Sequence, residues 1–438
     1  MRGVGGPYSG PPTHEVSAAA ARYERSDVPG LGGHANLSQG LATVEVVRIL
    51  HTSDWHVGRT IRGRSRAEEH VAVLAEIVGV AAAEAVDVVL VVGDLFDSAA
   101  PTAESERIVF RALLDLAATG ATVVVLAGNH DNDRRLQAVE PLLKLGRVIT
   151  RPVFARPEAG GVVEVTSRDG AERAKIAVLP FLSQRYVVKA ADLMGYDAQE
   201  NGQLYDSRVR SLLETLCAGF GTDTVNIIAA HLTVGGGRLG GGERAAHTVF
   251  EYEVGAVGFP STAQYVALGH LHRRQQLPGA GQLHYCGSPL QLDFGETADV
   301  KAVLVVEVHP AMPARVRDVE LTAGRRLRTL QGSIDSLRQA VGSTGDDWLK
   351  LVVQESPRIG LADEVRELFP SCVDVVIERP EGADRGAPTR ASRQGQAPAE
   401  LFLAFLAERG DVEASLVDLF ASLLEEAEGD VVPLGVGD

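Results

Sequence analysis

The sequence predicts an α/β protein built on buried sheets, with a smaller α/β module and further helices towards its C-terminal end. Three observations predict it. Short β-branched apolar runs recur with helical stretches between them, the pattern of strands covered by helices. The runs end in polar loops rich in Asp, His, Asn and Gly. After about residue 310 the texture changes to a short strand–helix–strand pattern, a polar linker and two amphipathic stretches.

Composition narrows the class. The 438 residues, 23% charged and 45% hydrophobic, amount to roughly three domains at about 150 residues each. Such a chain buries enough apolar surface to need no disulfides. Cys217, Cys286 and Cys372 are scattered and form no CxxC pair, which excludes a disulfide framework and a thiolate zinc site and fits a reducing compartment. No apolar run reaches the ~20 residues that span a bilayer, and no signal-like apolar core stands at the N-terminus. A cytoplasmic protein with no membrane attachment is expected. With 42 basic and 58 acidic residues the net charge is −16. That charge excludes a sequence-independent nucleic-acid coat, which works by neutralising phosphates with Lys and Arg. A polyanionic substrate must be met by local positive charge or by metal ions.

The elements follow in order. Residues 1–45, with GGPYSGPP and VPGLGGH, lack apolar periodicity and read as a disordered extension. VVRILHTSDWH is a strand running into a loop, 67–85 a helix, DVVLVVGD a buried strand, 103–118 a second helix and ATVVVLAGNHD a third strand with its loop. Further strands are expected at 175–179, 225–230, 265–268 and 301–308, completing a first domain over 46–309. Residues 310–380 read as a small module in which WLKLVVQ, LADEVRELF and CVDVVIER alternate strand, helix, strand. GADRGAPTRASRQGQAP supplies a linker, 381–397, before two amphipathic helices over 398–428.

The chemistry-bearing residues collect where strands become loops, the usual place for ligands on an α/β sheet. These are Asp54 and His56; Asp94 and Asp97; Asn129, His130 and Asp131; His231; and His270 and His272. Any one alone is an ordinary capping or loop residue, but five such loops together are not. Mixed imidazole and carboxylate ligands suit Mn, Fe or Zn. Asp54 and His56 can share an ion, as can His270 and His272. Two ions about 3.5–4 Å apart need a bridging carboxylate, for which Asp94 is the natural candidate. His51, inside the first motif, points away from the loop and reads as structural. Arg59, Arg62, Arg64, Arg66, Arg134, Arg135, Arg238, Arg244, Arg273 and Arg274 follow these loops and would surround the cleft with local positive charge. GGGRLGGGE lacks a GK[ST] ending and is not a P-loop.

These motifs resemble the calcineurin-like metallophosphoesterases, and ILHTSDWHVG, VVGDLFD, AGNHD, AAHLTVGGG, ALGHLH and YCGSPLQLDFGE together resemble the SbcD-type DNA exonuclease subunit. The resemblance covers about residues 47–425. It implies a sandwich of two mixed sheets flanked by helices, with a small capping domain and C-terminal partner-binding helices. It implies one ion on Asp54, His56, Asp94 and His272, and another on Asp94, Asn129, His231 and His270, Mn²⁺ being the metal expected. His130 is then the non-ligand histidine acting on the leaving oxygen, with Asp97 and Asp131 orienting ligands. The implied activity is hydrolysis of DNA phosphodiesters by metal-activated water, in repair and recombination. The implied partners are DNA, an SbcC-type coiled-coil ATPase that alone handles ATP, and a second copy of the chain within a heterotetramer. A small-molecule phosphodiesterase or phosphatase of the same superfamily, or an inert scaffold for the ATPase, are the alternatives. The small module and the tail favour the nuclease, and the intact ligand set disfavours the scaffold.

Overall fold

The computed structural model describes residues 46–183, 198–241, 243, 252–279 and 281–379, together with positions 402, 406, 416, 419 and 420. The expected N-terminal extension and linker lie outside the described residues, as does most of the C-terminal stretch.

Strand β1 (Val47–Thr52) alternates, placing Val47 and Ile49 between two sheets and Leu50 against helices. A hairpin, β2 (Thr60–Ile61) and β3 (Arg64–Ser65), precedes α1 (Ala67–Ala83). β4 (Val88–Val92) is buried at every position, which is why its sequence is an unbroken apolar run. α2 (Ala103–Ala118) starts at Thr102, whose hydroxyl accepts from Ser105 N. β5 (Thr122–Leu126), α3 (Asp133–Leu145) and β6 (Val148–Arg151) follow.

The next strands are β7 (Val162–Thr166) and β8 (Arg173–Leu179), then α4 (Ala198–Cys217) and β9 (Val225–His231). β10 (Tyr265–Gly269), β11 (Gln275–Leu277) and β12 (Gln282–Tyr285) complete this half. β13 (Ala302–Val308) and β14 (Arg315–Glu320) return to β1.

These strands form two six-stranded sheets, ordered β14-β13-β1-β4-β5-β6 and β11-β12-β10-β9-β8-β7. Both are mixed: β1, β4, β5 and β6 run parallel while β13 joins β1 antiparallel, and β8, β9, β10 and β12 run parallel while β7 and β11 are antiparallel. The sheets stack through Ile49, Leu90, Val92, Ile176, Ile227 and Ala267. α1, α2 and α3 cover the outer face of the first sheet, and α4 that of the second. The expected two-sheet sandwich flanked by helices is therefore present.

The module boundary falls later than residue 310. β14 pairs with β13 from Ala302↔Glu320 to Glu307↔Arg315, so the first sheet runs to Glu320. As a polar edge strand, RVRDVE carries no apolar signal. The module also has five elements in place of the three expected: β15 (Leu327–Gly332), α5 (Ile334–Gln339), β16 (Trp348–Gln354), α6 (Leu361–Leu368) and β17 (Cys372–Glu378). Its parallel sheet packs around Leu337, Leu349, Leu351, Val353, Leu361 and Val365.

A buried polar clasp seats the module. Arg66, wholly buried, pairs with Glu69 at 2.8 Å, and Glu69 Oε1 accepts from Trp348 Nε1 at 2.8 Å. Gln291 Oε1 accepts from Leu327 N at 2.7 Å. In the C-terminal stretch the Phe402 and Phe420 rings stack 4.1 Å apart, while Leu416 and Leu419 are 38% and 55% exposed. Among the described residues no helix is long and apolar enough to cross a membrane.

Candidate metal centre

The candidate residues converge at the carboxyl ends of β1, β4, β5, β9 and β10, where the two sheets meet. Three hydrogen bonds bind the loop after β1 to the loop after β4: Asp54 N to Gly93 O, His56 N to Asp94 O and Val57 N to Leu95 O, each 3.0 Å. The approach is so close that glycine is required. A Cβ at Gly93, whose φ is +81°, would lie 2.2 Å from His231 Nδ1, and one at Gly128 would lie 2.1 Å from Asp94 Oδ1. Asp54, His56, Asp94 and His270 themselves have positive φ (53°, 46°, 53° and 112°). Left-handed backbone at four site residues is strain held by the surrounding packing, a common mark of function.

The donor atoms face inward. His56 Nε2 and His272 Nε2 stand 3.1 Å apart. Asp94 Oδ2 lies 3.5 Å from His56 Nε2 and 3.6 Å from His231 Nε2, between the two halves of the cluster. Asn129 Oδ1 is 3.0 Å from His231 Nε2 and 2.8 Å from His270 Nδ1. Asp54 Oδ1 accepts from His270 N at 2.9 Å. Two sets, Asp54/His56/His272 and Asp94/His231/His270, each bring their ligand atoms within 4.8 Å of one another and are buried throughout. All seven residues expected as metal ligands are thus assembled at one place.

Electrostatics show what this donor set needs. Burial pushes the Asp54 carboxyl up to about 6. Burial also opposes ionisation of Asp94, but neighbouring His231 outweighs it and holds Asp94 well below the usual range. In return Asp94 overcomes burial at His231 and lifts it to about 9. Burial lowers His56 to about 4, keeping it neutral as a metal ligand must be. Buried carboxylates and imidazole lone pairs pressed together fit bound cations.

The supporting groups are equally clear. His231 Nδ1 bonds Val92 O at 2.9 Å, and Asp97 Oδ1 stands 3.4 Å behind His56 Nδ1, the orienting place expected of Asp97. Asp131 accepts from Gly128 N, Leu95 N and Phe96 N, tying the second loop to the third. His130 Nδ1 contacts Asp97 O at 2.9 Å, and its ring meets His56 edge-on at 4.7 Å. His51 is structural as expected, its Nδ1 2.8 Å from Tyr265 Oη.

The matching family model is the calcineurin-like phosphoesterase, over residues 47–274. The SbcD subunit of the SbcCD nuclease of Bacillus subtilis is 36% identical over 345 residues, covering 75% of this chain and 85% of that protein. The chain belongs to the SbcD family of calcineurin-like phosphoesterases. The SbcD nuclease subunit of Escherichia coli K12 is 31% identical over 316 residues, covering 71% and 76% of the two chains. The family implies divalent metals, and this SbcD-family chain has the ligand clusters for them.

One expectation changes. The arginines near the loops are largely engaged: Arg59 with Asp97, Arg62 with Asp374, Arg66 with Glu69, Arg135 with Glu106, Arg273 with Asp299 and Arg274 with Asp318. They serve as intramolecular ties more than as a cationic collar; Arg244 lies outside the described residues. Sequence reasoning also missed Glu296 and Lys301, which lie behind His272. The signal was present, an acid closing the LDFGE turn five residues before a lysine at the start of a strand.

Proposed function

We propose that this chain is the nuclease subunit of a metal-dependent DNA-processing complex, acting as a double-strand exonuclease and as an endonuclease on single strands and hairpins. The observation that carries the reading is the position of Asp94 Oδ2, buried between His56 and His231. A carboxylate there is placed to serve two cations at once. The curated relatives described as nuclease subunits support the substrate class.

Asp54, His56, Asp94 and His272 would hold one ion, and Asp94, Asn129, His231 and His270 the other, with Mn²⁺ proposed from among the divalent ions that a mixed nitrogen–oxygen set accepts. Held by these residues, divalent ions would supply Lewis-acid charge at the phosphodiester. The protein's part is to fix the ligands and to move a proton. With Nδ1 turned to the Asp97 carbonyl, His130 keeps Nε2 as its proton-transferring atom, suited to the departing sugar oxygen. No covalent intermediate is needed.

An acidic chain with most cleft arginines engaged depends on the cations to meet phosphate. An SbcC-type coiled-coil ATPase is the partner proposed for the C-terminal stretch, in a cytoplasmic heterotetramer containing two copies of this chain. The test is cleavage of linear duplex and hairpin DNA with Mn²⁺ or Mg²⁺, with and without the ATPase and ATP. Mn²⁺-dependent DNA cleavage stimulated by ATPase and ATP supports the reading. Hydrolysis of small phosphoesters without any DNA cleavage would place the chain among the stand-alone phosphatases.

A further inference from the structure

Behind His272, on the side away from the metal cluster, lies a wholly buried carboxylate that the reaction does not touch. Glu296 Oε2 accepts from Lys301 Nζ at 2.7 Å and from Leu292 N at 3.0 Å. Its other oxygen, Oε1, stands 3.5 Å from His272 Nδ1, and neither atom has a hydrogen-bond partner among the described residues. Lys301, itself buried, also donates to Ser288 Oγ at 2.9 Å and to the carbonyl of His272 at 3.1 Å. One ammonium therefore grips both the backbone of His272 and the carboxylate behind its ring. The nearby Glu243 is differently employed: it accepts from the backbone N–H groups of Gly240, Gly241 and His272.

We infer that Glu296, locked by Lys301, is a positioning residue that sets the tautomer of His272 so that Nε2 faces the metal centre with its lone pair. An ionised carboxylate only accepts, so the ring nitrogen facing it carries the proton and the other does not. His56 and His231 are backed in the same way, by Asp97 and by the Val92 carbonyl. Such backing is the usual support of a metal-ligating histidine. Only Glu296 among these acceptors is held by its own buried ammonium, so its direction is fixed from both sides. The inference rests on the metal reading above.

The decisive variant is Glu296→Gln. Lys301 Nζ and Leu292 N both donate, so the carboxamide must turn its oxygen to them and its NH₂ to His272 Nδ1. That reverses the demand on the ring and moves its proton to Nε2. In ¹⁵N NMR of the metal-free protein, His272 should change from the Nδ1–H to the Nε2–H form. In Mn²⁺ titrations one of the two sites should weaken by about 10–100-fold while the other holds. Glu296→Asp keeps an acceptor-only group and should retain the Nδ1–H form; it carries the test should the glutamine variant not fold. An unchanged tautomer with unchanged Mn²⁺ affinities in Glu296→Gln overturns the inference. So does an unchanged tautomer with a lower metal-free melting temperature, which would make Glu296 merely structural. A wild-type protein that binds no Mn²⁺ overturns the metal reading itself, before any variant is compared.

Discussion

His56 and His272 aim their Nε2 atoms at one another across 3.1 Å, in a pocket almost wholly withdrawn from water. Burial holds His56 neutral at ordinary pH, so its lone pair needs a proton or a cation opposite it. With Asp94 Oδ2 at 3.5 Å, a cation held there would answer all three atoms.

Mn²⁺ should therefore stabilise the fold. At a free concentration about 100 times Kd, one site adds about 2.7 kcal/mol, a rise of several degrees in melting temperature. Asp94→Ala should abolish the rise and bring bound metal close to zero by mass spectrometry. A variant that still takes up two equivalents would contradict the bridging role.

His130→Asn should separate binding from chemistry. Because its Nδ1 turns to the Asp97 carbonyl and its ring meets His56 edge-on, metal content should stay at two. DNA cleavage should fall by about 10²–10⁴-fold. Cleavage at the wild-type rate sinks the assignment.

Gly93→Ala should cost more than a loop alanine normally does. The residue has φ +81°, and its Cβ would lie 2.2 Å from His231 Nδ1. Strain of about 1–3 kcal/mol, plus displacement of His231, should lower both the melting temperature and the affinity for Mn²⁺. A silent substitution would show that the two sheets yield more easily than their packing indicates.

His51 gives a pH signature. Burial, first, and His284 lower it from 6.5 to about 3. A depressed histidine favours the fold while neutral, so this contribution is intact above 6.5 and is lost as pH falls towards 3. The slope should reach about 1.4 kcal/mol per pH unit within that window. Melting temperatures from pH 7.5 to 4.5 should fall more steeply for wild type than for His51→Gln; parallel curves would refute the effect.

Glu69→Ala should strand Arg66, buried with that carboxylate as its ion partner, and also remove the acceptor of Trp348 Nε1. Removing one member of a buried pair costs about 3–5 kcal/mol. Urea denaturation should record a loss of that order, and a loss below about 1 kcal/mol would mean that Arg66 finds water.

Much of this was legible in the linear chain because it depends on local pattern. Val88–Val92 is buried on both faces and so must be apolar throughout, and Asp54, Asp94 and His231 stand where apolar runs stop. What was illegible depends on partners distant in sequence. The polar β14 is a strand because β13 lies beside it. Arg62 looked like a cleft cation until Asp374 came to meet it. His130 is next to Asp131 in the chain, whereas the fold turns it to the carbonyl of Asp97.

By itself the sequence determined the α/β class and the five chemistry-bearing loops, since periodicity and residue chemistry are properties of short segments, while the two-sheet sandwich and the seven-ligand set came from its resemblance to the calcineurin-like metallophosphoesterases. Only the tertiary structure decided which oxygen of Asp94 stands between His56 and His231, which backbone is strained, and which carboxylate backs His272. Those rest on contacts between residues far apart in sequence, Asp94 with His231 among them, set by how two sheets pack at their glycine contacts.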